Sequence, residues 1–325
     1  MHAPPASYPA TPGERDAWIM GHRPNLDPQR AALLLDRPAG TLIEEEPDER
    51  GNLQRSLTVF LTNRECPWRC LMCDLWQHTT LHSVPVGAIP RQIDSALTAA
   101  EGAFDQLKLY NAGSFFDAGA IPTADHPAIA DRCRNFSRLV VECHPSLVGE
   151  RILRFRDQLE TTRLEIAMGL ETAHPDVLAK LNKRMTSEDF ARAATFLRTH
   201  GIDLRVFLLV KPPFLNDASA LEWAVRSVEF AFASGANVVS LIPTRLGNGA
   251  LEALARSGDF APPALSLYEQ AVDAAFAQVQ GRGRLFADLW DLERFSDEPS
   301  TFPQRYARLE EMNRRQRVLP RIPSV

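Results

Sequence analysis

The run Leu57-Thr58-Val59-Phe60-Leu61-Thr62 leads, within a few residues, into Cys66-Pro67-Trp68-Arg69-Cys70-Leu71-Met72-Cys73. An apolar, β-branched run of that length reads as a buried strand. The loop after it carries three cysteines spaced C-x3-C-x2-C. Thiolates hold iron–sulfur clusters, and an ordinary [4Fe–4S] cube takes four of them. Three thiolates on one loop leave one iron open, so a bound cluster can do chemistry as well as carry electrons. The alternative is a structural zinc site, with His78 or His82 completing Cys66, Cys70 and Cys73 in a non-catalytic zinc-binding protein. Against it, zinc modules usually pair two short knuckles, and no second C-x2-C stands in the sequence. A disulfide framework fits poorly with five cysteines, an odd count, and no signal-peptide pattern.

Beyond this passage, short apolar runs alternate with amphipathic stretches. The runs are Leu57–Leu61, Leu107–Tyr110, Leu139–Val141, Leu164–Met168, Leu204–Val210 and Val238–Ile242, with one more short strand ending at Asp288. Near-continuous apolarity suits parallel strands covered on both faces. Thr186-Ser187-Glu188-Asp189 reads as a capping box opening a helix that Gly201 ends. Asp217 or Ser219 is expected to cap the next helix, which carries Leu221, Ala224, Val225, Val228 and Phe232 on one stripe. Regular strand–helix alternation implies right-handed βαβ units. The polar residues cluster after strand ends, as in a barrel whose active site lies at the C-terminal ends of its strands. The expected fold is therefore α/β, a partial (β/α) barrel. No Gly-x-Gly-x-x-Gly and no Walker A pattern appears, which counts against those nucleotide-binding routes.

The chain has 325 residues, 45% of them hydrophobic, enough for one barrel-sized core. Residues 1–54 read as a partly flexible N-terminal extension, 55–290 as the barrel and 291–325 as a C-terminal tail. Met1–Pro12 is expected to be a flexible tail, and Glu44-Glu45-Glu46 a solvated lead-in. A helix is expected over Tyr306–Arg317. The net charge of −5 lacks the basic excess of an autonomous nucleic-acid binder. No stretch approaches a membrane span, so no membrane partner is expected. Reduced cysteines and an oxygen-sensitive cluster point to a cytoplasmic setting.

The residues after the strands make a polar rim. They are the cysteine loop, then Asn111-Ala112-Gly113-Ser114-Phe115-Phe116-Asp117, Glu142-Cys143-His144-Pro145, Gly169-Leu170-Glu171-Thr172, Lys211-Pro212-Pro213-Phe214 and Pro243-Thr244-Arg245-Leu246-Gly247-Asn248-Gly249. The three cysteines, together with Asn-Ala-Gly-Ser-Phe-Phe-Asp, Val-Val-Glu-Cys-His-Pro, Met-Gly-Leu-Glu-Thr and Leu-Leu-Val-Lys-Pro-Pro-Phe-Leu, resemble the radical S-adenosylmethionine (SAM) superfamily. Within it, the chain from about Ser56 to Gly249 is similar to the family containing the archaeosine synthase β-subunit and, more distantly, the Elongator catalytic subunit. The resemblance implies a partial barrel in which Cys66, Cys70 and Cys73 hold the cluster and its open iron chelates SAM. Reductive cleavage of SAM then gives a deoxyadenosyl radical that abstracts a hydrogen atom.

The resemblance also assigns Met72 to the neighbourhood of the adenine, Gly113 and Ser114 to the segment binding the SAM amino group, and Glu142 to the ribose. Asn111 opens the same cofactor segment. Glu171 and Lys211 match polar positions facing SAM or substrate, and Arg245 joins them as a candidate for recognising an anionic substrate group. This chain departs from the pattern at Ser114, where many members carry a carboxylate, and at Cys143-His144, where the family has Ser-Arg or Thr-Arg. Cys133 reads as structural, while Cys143 is a candidate for the active-site side. With no second redox site apparent, an external donor such as flavodoxin or ferredoxin is expected. The substrate is expected to be a modified nucleoside or tRNA base, or else a small metabolite or natural-product precursor.

Overall fold

Every apolar run expected to be a strand is one, and a further strand precedes them. The structure, a computed structural model, describes residues 7–24 and 35–323. Its strands are β1 (Gly40–Pro47), β2 (Leu53–Leu61), β3 (Gln106–Asn111), β4 (Arg138–Glu142), β5 (Arg163–Glu171), β6 (Asp203–Val210), β7 (Val238–Pro243) and β8 (Arg284–Ala287). They lie in one sheet in chain order. β2 to β8 are parallel, and β1 runs antiparallel to β2. Sequential parallel pairing with helical crossovers curls the sheet into a partial barrel.

The helices are α1 (Pro12–His22), α2 (Ala88–Ala99), α3 (His126–Cys133), α4 (Glu150–Gln158), α5 (Pro175–Lys180), α6 (Ser187–Thr199), α7 (Asp217–Ala233), α8 (Ala250–Ser257), α9 (Leu265–Val279) and α10 (Phe302–Arg315). One parity of strand residues, such as Leu57, Val59, Leu107, Leu109, Val206 and Leu208, is buried with helix residues such as Ile93, Ile129, Phe155, Phe190 and Val228. This is the core. Cys133 is fully buried within it, as expected of a structural cysteine.

The opposite parity faces the concave side, and there the acidic patch behaves differently from expectation. Glu44-Glu45-Glu46 is not a solvated lead-in but part of β1. Glu46 is buried, taking Lys108 at 2.6 Å and Arg205 at 2.8 Å. Arg205 also meets Glu165 at 2.7 Å, and Arg138 bonds both Glu165 and Glu49. All these residues except those of β1 and Glu49 lie at the N-terminal ends of parallel strands, so charge closes the barrel floor.

The Thr186–Asp189 capping box opens α6, and Gly201 follows that helix at φ +66°. α7 is capped by Asn216, ahead of both expected residues, Asp217 and Ser219; its Oδ1 accepts the Ser219 N–H at 3.0 Å. α10 begins ahead of the expected Tyr306 and packs on the barrel, with Leu309 and Met312 fully buried.

Of the start expected to be flexible, residues 1–6 lie outside the described residues. Tyr8 onward is packed: its ring meets Trp18 edge-on at 5.1 Å, and its hydroxyl donates to Lys180 O. Trp18 and Ile19 of α1 sit in a small second core with Leu71, Leu181 and Leu251.

Candidate active site at the barrel mouth

The cysteine loop leaves the C-terminal end of β2 and is pinched at its neck. Arg64 bridges Thr80, with Glu65 N–H on Thr80 O at 3.2 Å and Thr80 N–H on Asn63 O at 2.8 Å. Other loops then hold it from behind. Leu181 O accepts the Leu71 N–H at 2.9 Å, and Asn182 Nδ2 donates to Arg69 O at 2.8 Å. Asn248 Nδ2 donates to Leu71 O at 2.8 Å and Cys73 O at 3.2 Å. Cys70 is thus bracketed through its neighbours Arg69 and Leu71, both tied to the Leu181–Asn182 backbone and side chain.

Burial pushes the thiols of Cys66, Cys70 and Cys73 up to about 12. Cys66 feels Cys73, Cys70 feels Cys66 and Cys73 feels Cys70, so the three lie within electrostatic reach of one another. The ammonium of Lys183 opposes the rise at Cys66 and Cys70, and the Arg23 guanidinium opposes it at Cys73. Among the described residues, no three metal-binding side chains are gathered at one coordination point. The donor set still fits a cluster with one open iron: three soft thiol ligands of one loop, with cations beside them to favour the thiolates.

The loop after β3 closes over Cys66. Gly113 has φ +130°, and a Cβ there would stand 3.1 Å from Cys66 Cβ and 3.4 Å from its Sγ. Only glycine lets the backbone pass that close. Both polar atoms of the Asn111 side chain are buried without a protein partner. Such atoms are costly unless a guest or water bonds them. Ser114 is buried beside Cys143, whose Sγ donates to His144 O at 3.3 Å. Cys143 is buried here, and Met72 packs half-buried against the small second core.

Glu142 ends β4 and accepts the Asn111 N–H at 2.7 Å. Burial pushes its carboxyl up to about 7, against that hydrogen bond and against Lys183. Glu171 ends β5 after a register shift, at φ +67°, and is ion-paired with Lys183. A Cβ on Gly169 would fall 2.0 Å from Glu171 Oε1 and 2.3 Å from Lys183 Nζ, so the missing side chain makes room for the pair.

Lys211 and Arg245 behave otherwise. As site candidates, both are expected to face SAM or substrate. Instead Lys211, at φ +56°, pairs with Asp217 at 2.5 Å, and Arg245 pairs with Asp288 while bonding Trp290 O. Each sits at the rim with a carboxylate of its own.

The structure therefore brings Cys66, Cys70, Cys73, Gly113, Glu142 and Glu171 into one neighbourhood, with Asn111 on its edge. It adds Lys183 and Asn182, which sequence reasoning passed over, and gives Asn248 of the last rim segment a part in holding the cysteine loop. Lys183 and Asn182 follow the short helix α5 rather than a strand end, so a reading of strand tips misses them. A second missed contact joins two rim loops: Trp68 stacks on His144 at 4.1 Å, and His144 Nε2 meets Lys183 O at 2.9 Å. The zinc alternative finds no such support, since the side chains of His78 and His82 are exposed.

No family model matches the chain. It is 28% identical over 220 residues to the archaeosine synthase subunit beta of Methanosarcina acetivorans, covering 64% of this chain and 63% of that protein. The chain thus spans less than two thirds of that relative's length. Among solved structures, it is similar to Elp3 of Methanocaldococcus infernus at a TM-score of 0.51 and 16% identity, over 70% of this chain and 58% of the other. A methylornithine synthase matches at 0.51 and 10% identity, over 83% of this chain and 74% of that one. The chain is thus similar in sequence to an archaeosine synthase β-subunit, and in fold to Elp3 and a methylornithine synthase.

Proposed function

We propose, from that similarity, that the chain is a radical SAM enzyme that cleaves SAM reductively at a [4Fe–4S] cluster and abstracts a hydrogen atom from a modified nucleoside or tRNA base. The observation that carries this reading is the set of three half-buried thiols on one pinned loop, with Gly113 against Cys66 and Lys183 within electrostatic reach of Cys66 and Cys70. When bound, the cluster and SAM supply the electron transfer and the radical chemistry; the chain supplies placement and charge. Cys66, Cys70 and Cys73 would hold the cluster. Gly113 lets the β3 loop approach, and the unsatisfied Asn111 amide is available to a bound cofactor. Glu142 would take a ribose hydroxyl. Lys183, held by Glu171, would offset negative charge at the cluster.

The nucleoside class rests on the name of the relative, archaeosine synthase subunit beta, and the word subunit supports delivery of the substrate by a partner chain. A second reading, a small metabolite, is supported by the net charge of −5, which offers no global pull on RNA. An external electron donor such as flavodoxin or ferredoxin belongs to either. Glu171, Lys211 and Arg245 are the proposed substrate-side residues, the last two reaching an anionic group by exchanging their present carboxylates.

Anaerobic reconstitution tests the proposal. About four irons and four sulfides should bind per chain, and dithionite with SAM should yield 5′-deoxyadenosine. Cys66→Ala, Cys70→Ala or Cys73→Ala should each abolish the cluster, while Cys133→Ala keeps it. A zinc-replete, iron-free protein after anaerobic purification would overturn the reading.

A further inference from the structure

Helix α1 precedes every strand of the sheet, yet it is fixed against three segments at the barrel mouth. Arg15 donates to Ala179 O at 2.7 Å, while Asp16 accepts from Asn182 Nδ2 at 2.8 Å and pairs with Arg184 at 2.7 Å. Trp18 and Ile19 share the small second core with Leu71, which stands between Cys70 and Cys73. At the far end of the helix, a Cβ on Gly249 of the β7 loop would fall 2.0 Å from His22 O, so that loop runs hard against the helix end. Arg23, the next residue, is therefore aimed by rigid neighbours.

Its guanidinium turns to the cysteine loop. It bonds Glu65, the residue before Cys66, at 2.6 Å and lies 4.4 Å over the ring of Trp76. Trp76 in turn donates its indole N–H to Cys73 O at 3.1 Å. One side chain thus touches the loop ahead of its first cysteine and behind its third. Arginine suits both contacts, since its planar fork meets a carboxylate and its face stacks on an aromatic ring. Pairing Glu65 alone does not require Arg23, because Arg69 already meets that carboxylate at 3.3 Å. Only 8% of the Arg23 side chain is exposed, so its charge is fixed and weakly screened.

We propose that Arg23 is a positioning residue for the cluster, holding the two ends of the cysteine loop together and fixing a positive charge beside Cys73. The inference rests on the cluster reading above. Three thiolates with iron and sulfide make an anionic group, and an added electron makes it more so. A cation held beside it favours the reduced form, since cluster potentials follow the charge and hydrogen bonding around the sulfurs. Lys183 supplies charge from within the site, and Arg23 supplies it from behind the loop.

The test compares Arg23→Met and Arg23→Lys with the wild-type full chain. Three readouts are needed: iron retained against a chelator, the cluster's midpoint potential from a dithionite titration followed by electron paramagnetic resonance, and far-ultraviolet circular dichroism of the iron-free protein. Arg23→Met should lose iron about tenfold faster, as outer-shell changes do at metal sites, and its potential should move to more negative values. Arg23→Lys keeps the charge without the fork, so its potential should stay near the wild type while iron is still lost faster. Both should keep the wild-type dichroism. Wild-type potential and iron retention in Arg23→Met would overturn the proposal and leave the cluster reading intact. So would iron retention by Arg23→Lys equal to the wild type, or loss of the helical signal in either variant, which would make Arg23 a residue of the fold alone. A wild-type chain that takes up no iron would overturn both.

Discussion

Lys183 shows how much of the site rests on one buried charge. Its ammonium is buried and paired with Glu171, and the pair fills the space that a side chain on Gly169 would occupy. Glu171 adopts a left-handed backbone that non-glycine residues rarely take, a conformation held only where surroundings over-determine it. Removing one partner of such a pair strands the other charge in the interior. Lys183→Met should therefore cost about 3–5 kcal/mol of stability in urea unfolding of the iron-free protein. Adding Glu171→Leu should restore much of it, because two apolar groups replace a desolvated pair. A loss under about 1 kcal/mol for the single variant would show that Glu171 is solvated or otherwise partnered. No sequence signal marks this pairing: the two residues lie on different loops, and only the fold brings them together. The three cysteines were legible because their chemistry lies in their spacing.

At the scale of elements, the parallel strands could be read because they are buried on both faces and so write themselves as unbroken apolar runs. β1 could not. It is an edge strand with exposed residues alternating along Gly40–Glu45, and its glutamates carry the composition of a loop. The β3 loop was half legible. Its glycine suggested a close approach, but not that the neighbour is Cys66. That contact makes a local prediction. Gly113→Ala imposes a side chain at φ +130° and 3.1 Å from Cys66 Cβ, so either the β3 loop or the cysteine loop must shift. The variant should keep its far-ultraviolet circular dichroism, since the clash lies outside every strand and helix, and should lose most of its iron on reconstitution. Full iron occupancy in that variant would mean the two loops part freely, and Gly113 would lose its place in the site.

For the whole molecule, the question is what holds an open barrel shut at its lower end. A full barrel closes itself by pairing its first and last strands. Here the chain spans the lumen with charge: Glu46 of β1 reaches Arg205 of β6, which reaches Glu165 of β5, which reaches Arg138 of β4. Burial alone would raise the Glu46 carboxyl, but Arg205 and Lys108 outweigh it and hold it well below the usual carboxylate range. Glu165 is likewise held down against its burial by Arg205 and Arg138. A carboxyl whose folded value is depressed contributes stability that is present above its unfolded value, near 4.5, and is lost as pH falls below it. The floor should therefore make the protein acid-sensitive below about pH 4.5. Glu46→Gln leaves Arg205 and Lys108 without their shared anion. At pH 7 it should lower stability by about 3–5 kcal/mol in urea titrations. Its acid slope should also be shallower, because one of the protons that the wild type takes up on unfolding has no site left. The two stability curves should then draw together as pH falls through the acid range. Curves that stay parallel, or a variant within about 1 kcal/mol of wild type at pH 7, would mean that water reaches the floor and that packing by the helices alone keeps the barrel closed.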